Sequence, residues 1–280
     1  MKSRHTILGA QGFIGSALRT ALAGEDLPDY AGLRDAALLE RLRGAPLGTV
    51  YYCIGMTANF RRQPFVTVDA NLLLLREILE HCEFEQLVYL SSTRVYAGLP
   101  AATEDQPLLV RADDPDHLYN LSKLLAENLC ASSGRNTKVV RLSNVYGKGM
   151  RPWNFLASVL RDAAQSGEVE FKTSPASEKD YICVDDVAQY IVSIARASAH
   201  RVYNIASGEN VCNAQIAAWL EQQGMRTRFA DNAPQSVFPA IDSRRLHHEF
   251  GPPQHRLMSD LPDLLEQIKT SCFKHSESTL

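Results

Sequence analysis

The chain has 280 residues, 45% of them hydrophobic and 22% charged, which is enough for one sizeable core with a smaller lobe. A formal net charge of −3 at pH 7 gives no bulk electrostatic case for binding nucleic acid or an anionic membrane. No apolar run approaches the length of a membrane span. A strand-like segment begins almost at once, so no signal peptide is expected. The cysteines (Cys53, Cys82, Cys130, Cys183, Cys212, Cys272) are scattered and form no Cys-x-x-Cys pair. A reducing, cytoplasmic setting without a disulfide framework or metal site is therefore expected.

In chain order, a short apolar run at 6–8 enters Gly9-Ala10-Gln11-Gly12-Phe13-Ile14-Gly15, and an amphipathic stretch at 16–23 follows with Leu18 and Leu22 at helical spacing. The pattern is strand, glycine turn, helix. A second strand is expected only as a clipped remnant at 26–30, before a helix at 33–42 and a buried strand at 50–54. Next come a helix at 65–82, a strand at 86–90, a helix at 115–131 and a strand at 138–142. Helices at 153–165 and 184–197 and a strand at 202–205 complete the pattern. Such alternation predicts an α/β fold with a doubly wound parallel sheet covered on both faces. Segments at 174–178 and 231–239 look irregular, and Pro252-Pro253 precedes a final helix at 261–269. We therefore expect a dinucleotide-binding domain at 1–147, completed by about 180–206, and a small C-terminal substrate-binding lobe from about 148–179 and 207–270. The polar residues 271–280 are expected to form a disordered tail.

A strand that ends in Gly9-x-x-Gly12-x-x-Gly15 and opens a helix has the geometry that binds a pyrophosphate. Gly9 permits the tight turn, Gly12 lets backbone approach the phosphates, and Gly15 allows close helix–strand packing. The free amides and positive dipole of the helix start face the anion. An acidic residue on the ribose 2′-hydroxyl is not clear. Asp26 or Asp29 could serve, whereas Arg34, Arg61 or Arg62 could hold a 2′-phosphate, so NAD and NADP both stay open.

Tyr119 and Lys123 stand at i and i+4 on a predicted helix, hence on one face. One strand–helix unit earlier, a buried strand ends in Ser91-Ser92-Thr93. Ligands of open parallel sheets bind outside the carboxyl ends of the strands, which places Ser92 in the same crevice as the glycine loop. A phenol titrates near 10, so proton exchange near neutrality needs a shift of roughly 3 units, about 4 kcal/mol. A cationic Lys123 favours the phenolate, and Ser92 can hold the same substrate oxygen against Tyr119.

Together these segments resemble the extended short-chain dehydrogenase/reductase family, in its nucleotide-sugar epimerase/dehydratase/reductase branch. Further matching segments are Arg141-Leu142-Ser143-Asn144-Val145-Tyr146-Gly147, Asp180-Tyr181-Ile182-Cys183-Val184-Asp185-Asp186 and Asp242-Ser243-Arg244-Arg245-Leu246. The resemblance implies a Rossmann domain and a catalytic triad of Ser92, Tyr119 and Lys123. It implies NAD or NADP held by Gly9, Gly12, Phe13, Ile14, Gly15, Asn71, Tyr119 and Lys123. Asn144 matches the residue that touches the substrate diphosphate, and Thr93 and Lys179 join it as expected substrate contacts.

The departures are informative. Ala97 replaces a usual glycine, and Lys179 an arginine. Thr93 and Arg94 occupy the positions where sugar 4,6-dehydratases carry an acidic pair, and neither can serve as that acid/base pair, so a 4,6-dehydratase is not expected. The resemblance implies hydride transfer at a carbinol or keto carbon of a nucleotide-activated sugar. The short chain and clipped second strand favour a 4-ketoreductase. A 4-epimerase with retained NAD is the alternative, and a non-catalytic dinucleotide-binding redox sensor or assembly factor is the reading from a different class. His117 reads as a helix-start residue and Asp185-Asp186 as an N-cap. Trp153 and Phe155 suit either a pocket lining or core. A homodimer through the Tyr119 helix is implied by resemblance alone.

Overall fold

The computed structural model describes residues 3–30, 35–56 and 60–277, with backbone alone at 35–36 and 271–277. β1 (His5–Leu8) runs through the glycine turn into α1 (Phe13–Ala21). The first half continues with α2 (Asp35–Arg43), β2 (Thr49–Tyr52), α3 (Pro64–Val68), α4 (Leu74–His81), β3 (Gln86–Ser92), α5 (Leu118–Ser132) and β4 (Thr137–Leu142). After it come β5 (Asn144–Tyr146), α6 (Phe155–Ser166), β6 (Glu168–Phe171), β7 (Glu178–Cys183), α7 (Val184–Ala197) and β8 (Val202–Ile205). The chain ends with β9 (Asn210–Cys212), α8 (Asn213–Gln222), β10 (Arg226–Phe229), α9 (Arg244–Phe250) and α10 (Leu257–Glu277).

The main sheet has the order β1-β2-β3-β4-β8 and is parallel throughout. Alternate residues of each strand point to opposite faces. Tyr51, Val88 and Val140 pack beneath α1 and α7 with Leu18, Leu22 and Ile191. Val50, Tyr52, Leu87 and Tyr89 pack against α2, α4 and α5 with Leu42, Ile78 and Cys130. Burial on both faces is why these strands read as nearly continuous apolar runs. The fold class is the expected doubly wound parallel α/β sheet.

Several elements differ from expectation. The second strand shrinks to one parallel bridge, Arg4 with Asp26. The expected helix at 65–82 contains a π-turn at Asp69–Leu73 between α3 and α4, where the Tyr52 and Tyr89 hydroxyls donate to the carbonyls of Ala70 (2.7 Å) and Asn71 (2.9 Å). The late region carries more strand than its irregular look implied. β6 pairs with β10 in parallel, setting Glu168 beside Arg226 and Glu170 beside Arg228 on one face, with Phe171 stacked on Phe229 at 5.0 Å. β7 joins β5 and β9 in a second small sheet. α10 extends to Glu277, past the expected end at 269 and into the region expected to be a disordered tail, since each added helical residue gains one backbone hydrogen bond. Cys183 caps α7, and Asp185 and Asp186 lie in its first turn rather than at the cap. Asp186 accepts instead from the amides of Gln254 and His255, at 3.1 and 3.0 Å.

Behind the carboxyl ends of β3 and β4 lies a buried polar network. Arg141 on β4 grips Glu127 on α5 through Nη2 at 2.6 Å and Nε at 3.1 and 3.2 Å, and Ser91 donates to the same carboxylate at 2.5 Å. Arg141 Nη1 also donates to the Tyr96 hydroxyl at 2.7 Å, which donates in turn to Asn204 Oδ1 at 2.7 Å. Removing one partner of such a pair strands a buried charge, at a cost of about 3–5 kcal/mol, whereas replacing both with apolar groups is often close to neutral. Arg141→Met should therefore lose about 3–5 kcal/mol in urea unfolding, and the added Glu127→Leu change should recover part of that loss.

Candidate active site

The crevice opens at the carboxyl ends of β1, β2 and β3. Gly9 has φ +86°, a conformation that favours glycine, and a Cβ on Gly15 would stand 2.2 Å from the Gly9 carbonyl oxygen. Gly15 therefore permits α1 to pack on the loop. The Gly12 amide donates to the Gly9 carbonyl at 2.9 Å, and Gly12 caps α1 with no side-chain partner. By helix geometry the amides of Phe13, Ile14 and Gly15 lack intrahelical acceptors and suit a pyrophosphate. A second narrow place is Gly55, where a Cβ would come within 3.1 Å of Asn71 Oδ1 and 3.3 Å of Lys123 Nζ. The loop after β2 thus runs close over both side chains, which no sequence motif marks. Both cradles fit a dinucleotide.

Asp29 lines a small cleft with Ala10, Arg19, Leu27 and Pro28, while Asp26 faces Arg4 at 3.8 Å. Arg34 lies outside the described residues. Arg61 is not at the ribose end: it pairs with Asp116 and covers the Phe60 ring at 4.5 Å, and that ring lies 5.6 Å from the Tyr119 ring. The structure thus places Arg61 beside the expected reacting centre.

Tyr119 and Ser92 face one another across the end of β3, close enough for the Ser92 hydroxyl to act on the phenol. Ser92 accepts from the Arg94 amide at 3.2 Å, which fixes the turn that follows β3. Burial raises the Tyr119 pKa above its ordinary value, while the Ser92 hydroxyl and the Arg94 charge pull it back. Arg94 lies 5.9 Å from the Tyr119 ring centroid, so its cation stands beside the phenol. Lys123 aims elsewhere. Its Nζ donates to the Leu90 carbonyl at 2.8 Å and lies 4.7 Å from the Tyr89 ring centroid. Burial lowers its pKa to about 7, against the opposing pull of Glu127.

Asn71 is fully buried in the π-turn, where its Nδ2 donates to Ser122 at 3.0 Å and its Oδ1 accepts from Met56 N at 3.3 Å. Thr93, expected to touch substrate, is buried and donates to the Leu142 carbonyl at 3.2 Å. Its hydroxyl ties β3 to β4. Asn144 is exposed, with Nδ2 donating to the Asp180 carbonyl at 2.9 Å and Oδ1 available on the open side. Asp180 itself accepts from Ser143, Ser207 and the Gly208 amide, so the Asp-Tyr-Ile segment is a structural knot behind Asn144. Lys179 rests its ammonium 4.1 Å from the Phe155 ring centroid, and burial alone lowers its pKa. Phe155 also packs on Phe171 at 6.3 Å, whereas Trp153 is exposed. His117 accepts from the Arg111 amide at 3.3 Å near the start of α5. Cys183, Asp185 and His255 offer atoms within 4.8 Å of one another. Burial pushes the Cys183 thiol up to about 11, and His255 faces Asp186 at 3.2 Å.

Lys123 makes stability depend on pH. Its folded pKa lies below the unfolded value, so the unfolded chain binds more protons between about 7 and 10 and stability rises with pH there. Below that window the ammonium is charged in both states, and its burial cost is felt in full. Relative to Lys123→Met, the native chain should gain up to about 1.4 kcal/mol per pH unit between pH 7 and 9, measured by denaturant unfolding across that range.

Comparison with known proteins follows the same lines. A spore coat polysaccharide biosynthesis protein, SpsK, from Bacillus subtilis is 23% identical over 199 residues. The match covers 67% of this chain and 66% of SpsK, just under two thirds of that relative. MoeE5, solved in complex with UDP-glucose and NAD, is 25% identical with a TM-score of 0.80, over 96% of this chain and 99% of MoeE5. RMD from Pseudomonas aeruginosa, complexed with NADPH, shares the fold at a TM-score of 0.82 and 24% identity, over 97% of this chain and 99% of RMD. A family model matches residues 5–206, from β1 to the end of β8. The chain belongs to the NAD dependent epimerase/dehydratase family, enzymes of the extended short-chain dehydrogenase/reductase type that use NAD or NADP.

Proposed function

We propose that this chain transfers hydride at a carbinol or keto carbon of a nucleotide-activated sugar, as a 4-ketoreductase. The observation that carries the reading is the juxtaposition of Tyr119 and Ser92 at the end of β3, with Lys123 buried one helical turn behind and held to the Leu90 carbonyl. The dihydronicotinamide, when bound, supplies the hydride that reaches the carbonyl carbon. Ser92 donates to the carbonyl oxygen and holds it against Tyr119. The Tyr119 hydroxyl gives that oxygen its proton, and the resulting phenolate is stabilised by the nearby Arg94 charge before reprotonation from solvent. One carbonyl becomes one carbinol, and one reduced cofactor is oxidised. Asn144 Oδ1 and Lys179, which forms no ion pair among the described residues, suit the far end of the substrate, with Lys179 facing its diphosphate.

The second strand, reduced to the single Arg4–Asp26 bridge, favours exchange of cofactor at every turnover, as a reductase requires, over the retention an epimerase needs. The likeness to a polysaccharide biosynthesis protein supports a carbohydrate substrate. Tyr119→Phe should lower turnover of a 4-keto sugar nucleotide by roughly 10²–10⁴-fold while leaving NADH or NADPH affinity intact. A full biological effect from Tyr119→Phe would favour the sensor reading. Nucleotide released on denaturation, together with absorbance at 340 nm, separates the two enzyme readings. Net consumption of reduced cofactor is expected, whereas retained NAD without net consumption would indicate an epimerase.

A homodimer belongs to the same proposal. Phe65, Val66 and Leu73 and, on α5, Leu125 are exposed around an apolar groove lined by Val68, Leu72, Leu118 and Leu121. This apolar face fits a second copy of the same helix pair. Among the described residues no helix is long and apolar enough to cross a membrane. Leu125→Asp should shift sedimentation from dimer to monomer.

A further inference from the structure

Arg94 is the least satisfied charge near the site. Its guanidinium lies between two aromatic faces, 4.9 Å from the Phe60 ring centroid and 5.9 Å from that of Tyr119. Nε is buried with no hydrogen-bond partner among the described residues, and Nη2 makes only a long contact, 3.5 Å, to the Asp116 carbonyl. The neighbouring carboxylate, Asp116, is engaged by Arg61 through Nε and Nη2. Arg94 therefore has a second cation close by and no acid of its own. Burial lowers its pKa, with the like charge of Arg61 the next cause. Arginine nevertheless stays charged in proteins. A half-buried, unpaired guanidinium carries a desolvation cost that an arriving anion relieves.

Position narrows the kind of anion. Arg94 follows Ser92 by two residues in the turn Thr93–Tyr96, whose geometry is set by the Ser92 hydroxyl accepting from the Arg94 amide. Asn120, next to Tyr119 on α5, donates to the Arg94 carbonyl at 3.1 Å. Both backbone ties hold this residue to the pair that would grip the reacting oxygen. Its side chain thus meets a substituent on a carbon next to the reacting one. The proposed function assigns the diphosphate to Asn144 and Lys179, which leaves Arg94 for the sugar.

We propose that Arg94 selects substrates bearing a carboxylate beside the reacting carbon, so that the sugar of the nucleotide substrate is a uronic acid rather than a neutral hexose. The inference rests on the nucleotide-sugar reading above and names the class of sugar. A planar carboxylate accepts two parallel hydrogen bonds from a guanidinium fork, including the Nε left without a partner. A hydroxymethyl group at that position leaves the charge unpaired.

The test compares matched pairs, UDP-glucose with UDP-glucuronic acid and dTDP-glucose with dTDP-glucuronic acid. Each is titrated calorimetrically against the protein with NAD or NADP, and turnover at the carbinol is read both as absorbance at 340 nm and as formation of the C4 epimer. In at least one pair the uronic acid should be preferred by roughly 10- to 100-fold. Arg94→Met should bring that ratio close to one, and Arg94→Lys should keep the charge but recover only part of the preference. NADH affinity and the thermal midpoint check that both variants are folded. Equal or better binding and use of the neutral sugar overturns the inference, as does a preference that survives Arg94→Met. Uronate-selective binding that depends on Arg94, without turnover of any pair, supports the inference and sinks the catalytic reading. Binding of no sugar nucleotide overturns both.

Discussion

The site depends on how α5 is held against the end of β3. Tyr119, Lys123 and Glu127 stand four residues apart and form one stripe on the buried face of that helix. Each meets the sheet differently. Lys123 donates to the Leu90 carbonyl, Glu127 accepts from Ser91 and Arg141, and Tyr119 reaches Ser92. Two consecutive strand residues, Leu90 and Ser91, thus fix two turns of helix, and the next, Ser92, faces the turn that carries Tyr119. A shift of one residue along the strand would break both bonds and move Tyr119 off Ser92. The arrangement places a phenol, a hydroxyl and an amine with little freedom, and preorganisation of this kind lowers the entropic cost of a reaction. Arg141, remote from the crevice, joins the same stripe by pairing with Glu127, whose charge opposes the effect of burial on Lys123.

Much of this was legible because the relevant periodicities are local. The strand–glycine–helix pattern at Gly9–Gly15 and the four-residue spacing of Tyr119 and Lys123 each encode a contact within one element or between sequential ones. The alternation of apolar strands and amphipathic helices carried the main sheet in the same way. Contacts decided by distant partners were not legible. Glu168-Val169-Glu170-Phe171 and Arg226-Thr227-Arg228-Phe229 look too charged for strands until they are paired, because their carboxylates and guanidiniums neutralise one another across the ladder. Similarly, nothing near Asn71 announces a π-turn. Two tyrosine hydroxyls from β2 and β3 draw its carbonyls out of α-helical register.

The same limit explains Thr93, Arg61 and Arg94. Motif position puts Thr93 near substrate, but its hydroxyl is satisfied by the Leu142 carbonyl across the β3–β4 pair. Arg61 looked like one of several candidates for a ribose phosphate. The structure places it beside Phe60 and Asp116, at the opposite end of the crevice from Asp29. Arg94 was informative in the sequence only for the acidic residue it displaces. In the fold it becomes a positive residue facing the Tyr119 ring, while Lys123 faces the ring of Tyr89. Arg94 thus adds a second cation near the phenol besides Lys123.

These placements reconcile a weakly acidic chain with anionic ligands. Net charge is a sum, whereas binding depends on where charges remain unpaired. Many surface carboxylates of this chain are matched by neighbouring arginines, as in Arg43–Glu77, Arg76–Glu80 and Arg228–Glu170. At the crevice the balance reverses. Asp116 and Glu127 are committed to Arg61 and Arg141, leaving Arg94 and Lys179 without a carboxylate among the described residues. Both are partly withdrawn from water, where a charge interacts more strongly with what approaches it. One lies near the phenol and the other near Asn144. An extended ligand anionic at both ends would satisfy each cation, and its length would set which carbon meets Tyr119.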